Sequence, residues 1–397
     1  MTTINYKSGN ILLPDVPSPI LDGLYTGPAP TITNTQSSSS TIASAQKWTP
    51  IPVPLVSADK YFAFNYLGAT NFINGTTIPD PSYVLPLSRY PGTYASGQSS
   101  YGVEFLYSGQ AFELKYKYVN SSNGYRLYVN DRKVTDLVQS FPGPPTAGSS
   151  NVLKVDLGSV DLWKIRFEFV STPFGGIFTG PNDSLYPTLP SASFFVLGDS
   201  ITDGSAQNTG GAQGTWLRRF GRLMGLNNTW NQARGGTGYI TPGAFATFPA
   251  RVNSDIVPYN PDTLVVWGGY NDVSPSLTIQ QQISDAQIAT LKSITSQLPL
   301  TDVVVIGLWV PQAVPSPSQV QVNTILRTNA LALNLPFIDP SNGNTYDRYG
   351  DVVYSAGPWI TSNNVSLFVG ADNVHPTDAG HKALGNIIAM SIASLTN

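Results

Sequence analysis

Apolar and polar positions keep two different rhythms along this chain. From 51 to 185 they alternate every second residue over short runs. AFELKYKYV (111–119) and YRLYVNDRKV (125–134) read as a hairpin turning at Ser121 to Gly124. NVLKVDLG (151–158) and DLWKIRFEFV (161–170) read as a second pair. Short strands, frequent Pro and Gly, and no long helical period predict an all-β sandwich over 51–185, jelly-roll-like in kind. A Pro- and Gly-rich passage, STPFGGIFTGPNDSLYPTLP (171–190), marks its end.

Beyond that passage the strands become continuously apolar and alternate with helical periods. SFFVL (193–197), TLVVWG (263–268), DVVVIGLWV (302–310) and PFID (336–339) read as strands. Helices are expected over 215–225, 278–298, 318–333 and 377–395. Alternation of this kind predicts a parallel sheet with helices on both faces over 191–397. In such sheets, sites form outside the carboxyl ends of the strands. Ser200 and Asn271 both stand at such ends.

Composition adds boundaries. Residues 1–50 are rich in Pro, Ser, Thr and Asn, as in TITNTQSSSSTIASAQ, and predict an extended, loosely ordered arm, a linker or an attachment segment for a larger assembly. Hydrophobic residues make up 41% of the chain and charged ones only 11%, so the polar surface is largely uncharged, as suits a secreted, virion or cell-surface protein. A net charge of −3 without a basic stripe argues against nucleic acid as a partner. The chain has no cysteine, which excludes disulfides and thiolate metal sites. No apolar run is long enough for a membrane span, and MTTINYKSGN carries no secretory signal pattern. Tyr116, Tyr118, Tyr125 and Tyr128 are candidates for stacking on sugar rings, although alternation sends half of them to the core.

The candidate chemistry starts at FFVLGDSITDG (194–204). Its serine, Ser200, reads as a turn residue, a helix cap or a nucleophile. A nucleophilic serine needs a base, and the chain has only two histidines. His375 precedes Pro376, which biases it to extended geometry at the end of a loop. Thr377 and Asp378 then open a helix, and His381 lies inside it as an ordinary surface or packing residue. Asp372, three residues before His375, is placed to turn back to the imidazole and fix its tautomer. Asp378 is the rival carboxylate, but its helix-start position accounts for it. Donors for an oxyanion are offered by the glycines of NQARGGTGYI (231–240) and by Asn271 in WGGYNDV (267–273).

Four blocks, GDSITDG, NQARGGTGY, GGYND and DNVHP, resemble in content and order those of the SGNH (GDSL-type) hydrolases, over roughly 191–397. The resemblance implies a flavodoxin-like three-layer α/β/α sandwich on a sheet of about five parallel strands, and neither cofactor nor metal. It implies Ser200 as nucleophile, His375 as base and Asp372 as its partner. The implied oxyanion donors are the Ser200 N–H, the Gly236 N–H and the Asn271 amide, with Gly238 as the alternative glycine. Ala233 and Gly235 depart from the family's Gly and Ser in the second block. Asp199 is expected to support the loop through hydrogen bonds. The G-x-S-x-G elbow of α/β-hydrolases is absent at Ser200.

A β-sandwich joined to such a domain resembles carbohydrate acetyl esterases. The expectation is a serine esterase that removes O-acetyl groups from a polysaccharide, its partner being an acylated carbohydrate. The alternatives are a short-chain lipid esterase or lipase, or a non-catalytic glycan-binding virion or adhesion protein. The expected location is extracellular or virion-associated, as on a phage tail, with the cytoplasm left open.

Overall fold

The apolar runs beyond residue 190 become strands buried on both faces. The computed structural model describes residues 2–4, 11–13, 17–70, 72–75, 80–86, 100–143, 145–205 and 207–395. The chain divides into two units, one of residues 1–20, 191–208 and 214–397, the other of 21–190 and 209–213. In the first, the strands are β1 (Phe194–Gly198), β2 (Thr229–Asn231), β3 (Thr263–Trp267), β4 (Asp302–Ile306), β5 (Phe337–Ile338), β6 (Asn344–Tyr346) and β7 (Val352–Ser355). They lie in the order β2-β1-β3-β4-β5-β6-β7. Pairing is parallel from β2 to β5 and antiparallel beyond. The parallel part has the doubly wound order 2-1-3-4-5, whose direction of winding reverses between β1 and β3.

The helices of this unit are α1 (Ser200–Asp203), α2 (Trp216–Leu223), α3 (Phe248–Arg251), α4 (Leu277–Gln297), α5 (Pro317–Ala332), α6 (Val365–Phe368) and α7 (Asp378–Ser394). Successive side chains of a strand point to opposite faces. Phe194, Val196, Val265, Trp267, Val304 and Ile306 therefore share a core with α2 and α7. Phe195, Leu197, Leu264, Val266, Val303 and Val305 share another with α3, α4 and α5. The starts of the long helices are capped. Ser276 accepts from the Ile279 amide, Ser316 forms a reciprocal capping box with Gln319, and Thr377 accepts from the Gly380 amide.

The strand expected over 302–310 stops at Ile306. The Asn323 side chain of α5 takes the Leu308 amide at 2.8 Å and replaces the ladder there. A Cβ on Gly307 would come within 2.4 Å of that Asn323 oxygen.

The other unit is all-β, and among the described residues 12 strands form one hydrogen-bonded network. Its axis is a pair of long antiparallel strands, Ser100–Lys117 and Ser150–Val170. Inward residues are Tyr101, Val103, Phe105 and Tyr107 in the first half of one strand, then Phe112, Leu114 and Tyr116 in the second. The parity changes where the register slips between Asp156 and Asp161, opposite Ala111 and Gly109. That irregularity lets one face stay buried through a bend.

Three expectations are corrected here. The hairpin expected between 111–119 and 125–134 does not form, because Gly124–Val129 pairs with residues Ile165 to Val170 of the second long strand. The tight turn lies instead at Asn130 and Asp131, whose φ of 49° and 63° suit a two-residue hairpin loop. Residues 151–158 and 161–170, expected as a pair, are one strand, and Gly158 sits in its irregularity. The loose arm expected over 1–50 is, from residue 21, part of the β unit. Thr31–Thr35 pairs with Val152 to Asp156, and Gln46–Pro50 pairs with the strand Phe174–Thr179. The buried Glu113 carboxylate also gathers the Ser40 and Thr41 hydroxyls and the Thr41 amide. Backbone ladders and a buried acceptor do what apolar side chains do elsewhere, so composition misleads. Residues 1, 5–10 and 14–16 of that stretch lie outside the described residues.

The sugar-stacking tyrosines are corrected as well. Tyr116, Tyr125 and Tyr128 are buried, and Tyr118 packs against the same core. Tyr116 stacks on Phe141 at 3.9 Å between ring centroids, and Tyr128 donates to Glu168 beneath the Arg166 guanidinium. Both faces of their strands are covered, so alternation exposes neither set.

Candidate active site

Strand β1 ends at Gly198, and the chain must turn sharply into α1. A Cβ on Gly198 would lie 3.1 Å from the Trp267 carbonyl of β3, so a glycine permits this close strand approach. Asp199 is the N-cap of α1, accepting from the Ile201 amide at 3.0 Å. Ser200 is the first residue of α1 and is largely buried. Its own N–H is a helix-start donor without an intrahelical acceptor. Burial raises the Asp199 carboxyl pKa to about 7, with the neighbouring Asp203 and Asp272 adding to the rise against the Ile201 hydrogen bond.

The second block follows β2. Asn231 donates to the Thr202 carbonyl at 2.6 Å, and the Arg234 amide donates to the Gly198 carbonyl at 2.9 Å. Gly236 has φ 73°, a conformation that favours glycine. Among the described residues its N–H donates to no protein acceptor. Gly238 is needed for a different reason, since a Cβ there would come within 2.3 Å of the Asp272 carboxylate.

That carboxylate organises the loop. Buried Asp272 accepts from the amides of Tyr239 (2.6 Å), Ile240 (3.2 Å) and Thr241 (2.9 Å). Its neighbour Asn271 donates one amide hydrogen to the Thr237 carbonyl at 2.9 Å. An asparagine amide has two hydrogens, so a second donor remains. Gly236 and Asn271 are thereby held by one small set of bonds.

The fourth block lies between α6 and α7. His375 Nδ1 is 2.7 Å from Asp372 Oδ2, while Asp372 Oδ1 accepts from the Val374 and His375 amides, each at 3.0 Å. Burial works to raise the Asp372 carboxyl, but the hydrogen bonds from the His375 ring and from the two amides outweigh it and hold the carboxyl below its usual range. With Nδ1 engaged as donor, Nε2 is the basic nitrogen. That Nε2 is shielded from solvent and has no hydrogen-bond partner among the described residues.

Several contacts bring the block to the carboxyl edge of the sheet. The Trp309 indole, just beyond β4, donates to the Val374 carbonyl at 2.8 Å. Gln207, just beyond α1, accepts from the Ala371 amide at 3.2 Å. The Tyr270 phenol is pushed up by burial, then by the charges of both Asp199 and Asp372.

Buried His381, of the expected packing type, accepts the Trp216 amide at 3.2 Å. Burial, with the charge of His375 adding, pushes its pKa down to about 3. The Trp216 indole in turn donates to Thr202 of α1 at 3.0 Å. Asp378 is in the first turn of α7, as its helix-start reading expects. Asp272 and Arg251 are site residues that sequence reasoning missed. Asp272 stood in view beside Asn271, but the amides it gathers lie far upstream in the chain. Arg251 gives no sequence signal of such a role, because beyond Asp255, four residues on, its partners are a hydroxyl and two backbone carbonyls distant in the chain.

Residues 196–383 match the GDSL-like Lipase/Acylhydrolase family. The chain is 25% identical over 203 residues to a GDSL lipase of Mycobacterium tuberculosis, a match covering 50% of this chain and 80% of that protein. Among solved structures, a salicylyl-acyltransferase from a tetracycline biosynthetic pathway superposes with TM-score 0.60 at 12% identity, covering 84% of this chain and 96% of the other. A family two carbohydrate esterase from Clostridium thermocellum, in complex with cellohexaose, gives 0.53 at 13%, covering 83% and 98%. An acetyl xylan esterase from the rumen bacterium Butyrivibrio proteoclasticus gives 0.51 at 12%, covering 83% and 97%. At these identities the likeness is one of fold.

Proposed function

Residues 196–383 form a GDSL-like lipase/acylhydrolase domain, and from that premise we propose that the protein is a serine esterase acting through an acyl-enzyme. The observation that carries the reading is the Asp372–His375 pair, with a shielded and unpartnered Nε2, on the same sheet edge as Ser200. His375 Nε2 takes the Ser200 hydroxyl proton as Oγ attacks the ester carbonyl carbon. The carbonyl oxygen becomes an oxyanion, held by the N–H groups of Ser200 and Gly236 and by the Asn271 amide. The C–O bond to the alcohol breaks, and the imidazolium returns its proton to the departing oxygen. Water, deprotonated by His375, then attacks the acyl-serine and releases the acid. Asp372 holds the ring and stabilises the imidazolium without itself taking the proton.

The substrate in this reading is a short acyl ester, an O-acetyl group on a polysaccharide. The polar, charge-poor composition supports it, as does a fold shared with an acetyl xylan esterase and a carbohydrate esterase. Ser200→Ala and His375→Ala should each abolish hydrolysis of p-nitrophenyl acetate while leaving the circular dichroism spectrum unchanged. Near-wild-type turnover in either variant would refute the assignment. Acetate release from acetylated xylan or bacterial polysaccharide tests the substrate class. A preference for octanoate over acetate esters would favour a lipase instead.

A further inference from the structure

Arg251, the last residue of α3, is buried, and the catalytic steps above do not use it. Its guanidinium reaches three separate segments. One terminal nitrogen donates to the Gly198 carbonyl at 3.4 Å and to the Thr237 hydroxyl at 3.1 Å. The other donates to the Gln232 carbonyl, and Nε donates to Asp255 at 2.9 Å. Gly198 ends the strand that delivers Ser200. Gln232 lies near the start of the second block. Thr237 follows Gly236 directly, and its carbonyl receives the Asn271 amide. One side chain thus ties together the supports of all three proposed oxyanion donors.

We infer that Arg251 is a positioning residue for the oxyanion hole, holding the Gly236 and Asn271 donors in register with the Ser200 N–H. The inference rests on the esterase reading. A guanidinium suits the task because its fixed planar fork addresses several acceptors at once, whereas an ammonium acts as a point charge. A buried charge is costly unless paired, and Asp255, four residues on, supplies the countercharge. The backbone is built to allow this. Immediately after Arg251 the helix widens into a π turn, Val252–Ile256, a device frequent at functional sites. Arg234 shares the same Asp255 at 3.5 Å, so the second block is also anchored on this ion pair.

The test compares wild type, Arg251→Lys and Thr237→Val on p-nitrophenyl acetate and on a boronic acid, whose tetrahedral adduct with the serine presents an oxyanion. Lysine keeps the charge beside Asp255 and loses the fork. Arg251→Lys should lower kcat by about 10²-fold, the scale of a misplaced catalytic group, with KM nearly unchanged and boronate affinity falling in step with kcat. Thr237→Val removes the Arg251 contact together with the hydroxyl's own bond to the Arg234 carbonyl, and should lower kcat by about tenfold. The double variant should lose less than the product of the two, since the residues share a network. A merely structural arginine would lower the melting temperature and leave kcat and boronate affinity of the folded protein intact, and that result overturns the inference. Should Arg251→Lys fail to fold, an unaltered kcat in Thr237→Val would do the same. Wild-type protein that neither hydrolyses the ester nor binds boronate would defeat the esterase reading itself, and this inference with it.

Discussion

At the scale of residues, the site separates charge by burial. The mostly exposed Asp372 carboxyl is pulled below its usual range by hydrogen bonds, while the fully buried Asp199 is raised to about 7. Asp199 therefore holds a proton over much of the range in which Asp372 is ionised, although the two lie on neighbouring loops. His381 is the complementary case, neutral because burial holds its pKa down to about 3. An unfolded chain binds a proton at this histidine below about pH 6.5, and the folded chain does not until far lower. The unfolded state thus binds more protons across that window, and His381 costs stability as pH falls through it, by about 1.4 kcal/mol per pH unit. Asp199 acts with the opposite sign, since between its ordinary range and about pH 7 the folded chain keeps the proton the unfolded chain releases. His381→Asn preserves an acceptor for the Trp216 amide and removes one of these slopes. Its stability relative to wild type should improve steadily from pH 6.5 to pH 4, read as the difference in denaturation midpoint. A difference that does not change with pH would mean His381 is not held neutral. At the third oxyanion donor, Asn271→Ala should cost about 10²–10³ in kcat, measured on the same ester, with Tm recorded alongside because the Thr237 bond is lost too.

At the scale of elements, the second and third blocks behave as one structure. Asp272 collects three amides of the loop at 239–241, and Asn271 holds Thr237 just upstream. Gly238 is where backbone and carboxylate approach most closely. A Gly238→Ala protein must displace either the loop or Asp272, and kcat should fall by at least about tenfold, on the scale set by positioning effects. Gly210→Ala, in the β unit, also forces a close contact, there with Val138, and serves as the control. Equal losses of kcat in both variants would mean that the effect is general destabilisation. The four blocks are legible in the sequence because each is short and local. The hydrogen bonds that join the blocks are not legible, since their partners are loop amides with no residue type to mark them.

At the scale of the whole molecule, both units are organised by strands whose two faces are covered. In the β unit, Phe167 lies fully buried among Phe112, Tyr125 and Phe169. Phe167→Ala should cost about 3–5 kcal/mol, seen as a lower denaturant midpoint. Here local reading failed most. The two runs that read as a pair, 151–158 and 161–170, are one strand with an irregularity at its middle, and the partner of that strand lies far upstream, at Ser100–Lys117. In the α/β unit the same local reading found four of the five parallel strands and missed β2, whose three residues, Thr229–Asn231, are polar at both ends. Parallel strands buried on both faces are continuously apolar, and each is separated from the next by a helix with its own cap signals. The chain by itself therefore determined the strand–helix alternation, the sharp GDS turn after β1, the Asp372–His375 spacing and the glycine-rich block after β2. Those features depend on neighbours within a few residues. Only the tertiary structure decided the sheet order that brings the ends of β1 and β3 together, the long-strand pairing of the β unit, and the Asp272 and Arg251 bonds that hold the donor loop. These depend on which distant backbone groups meet, and a backbone group carries no sequence.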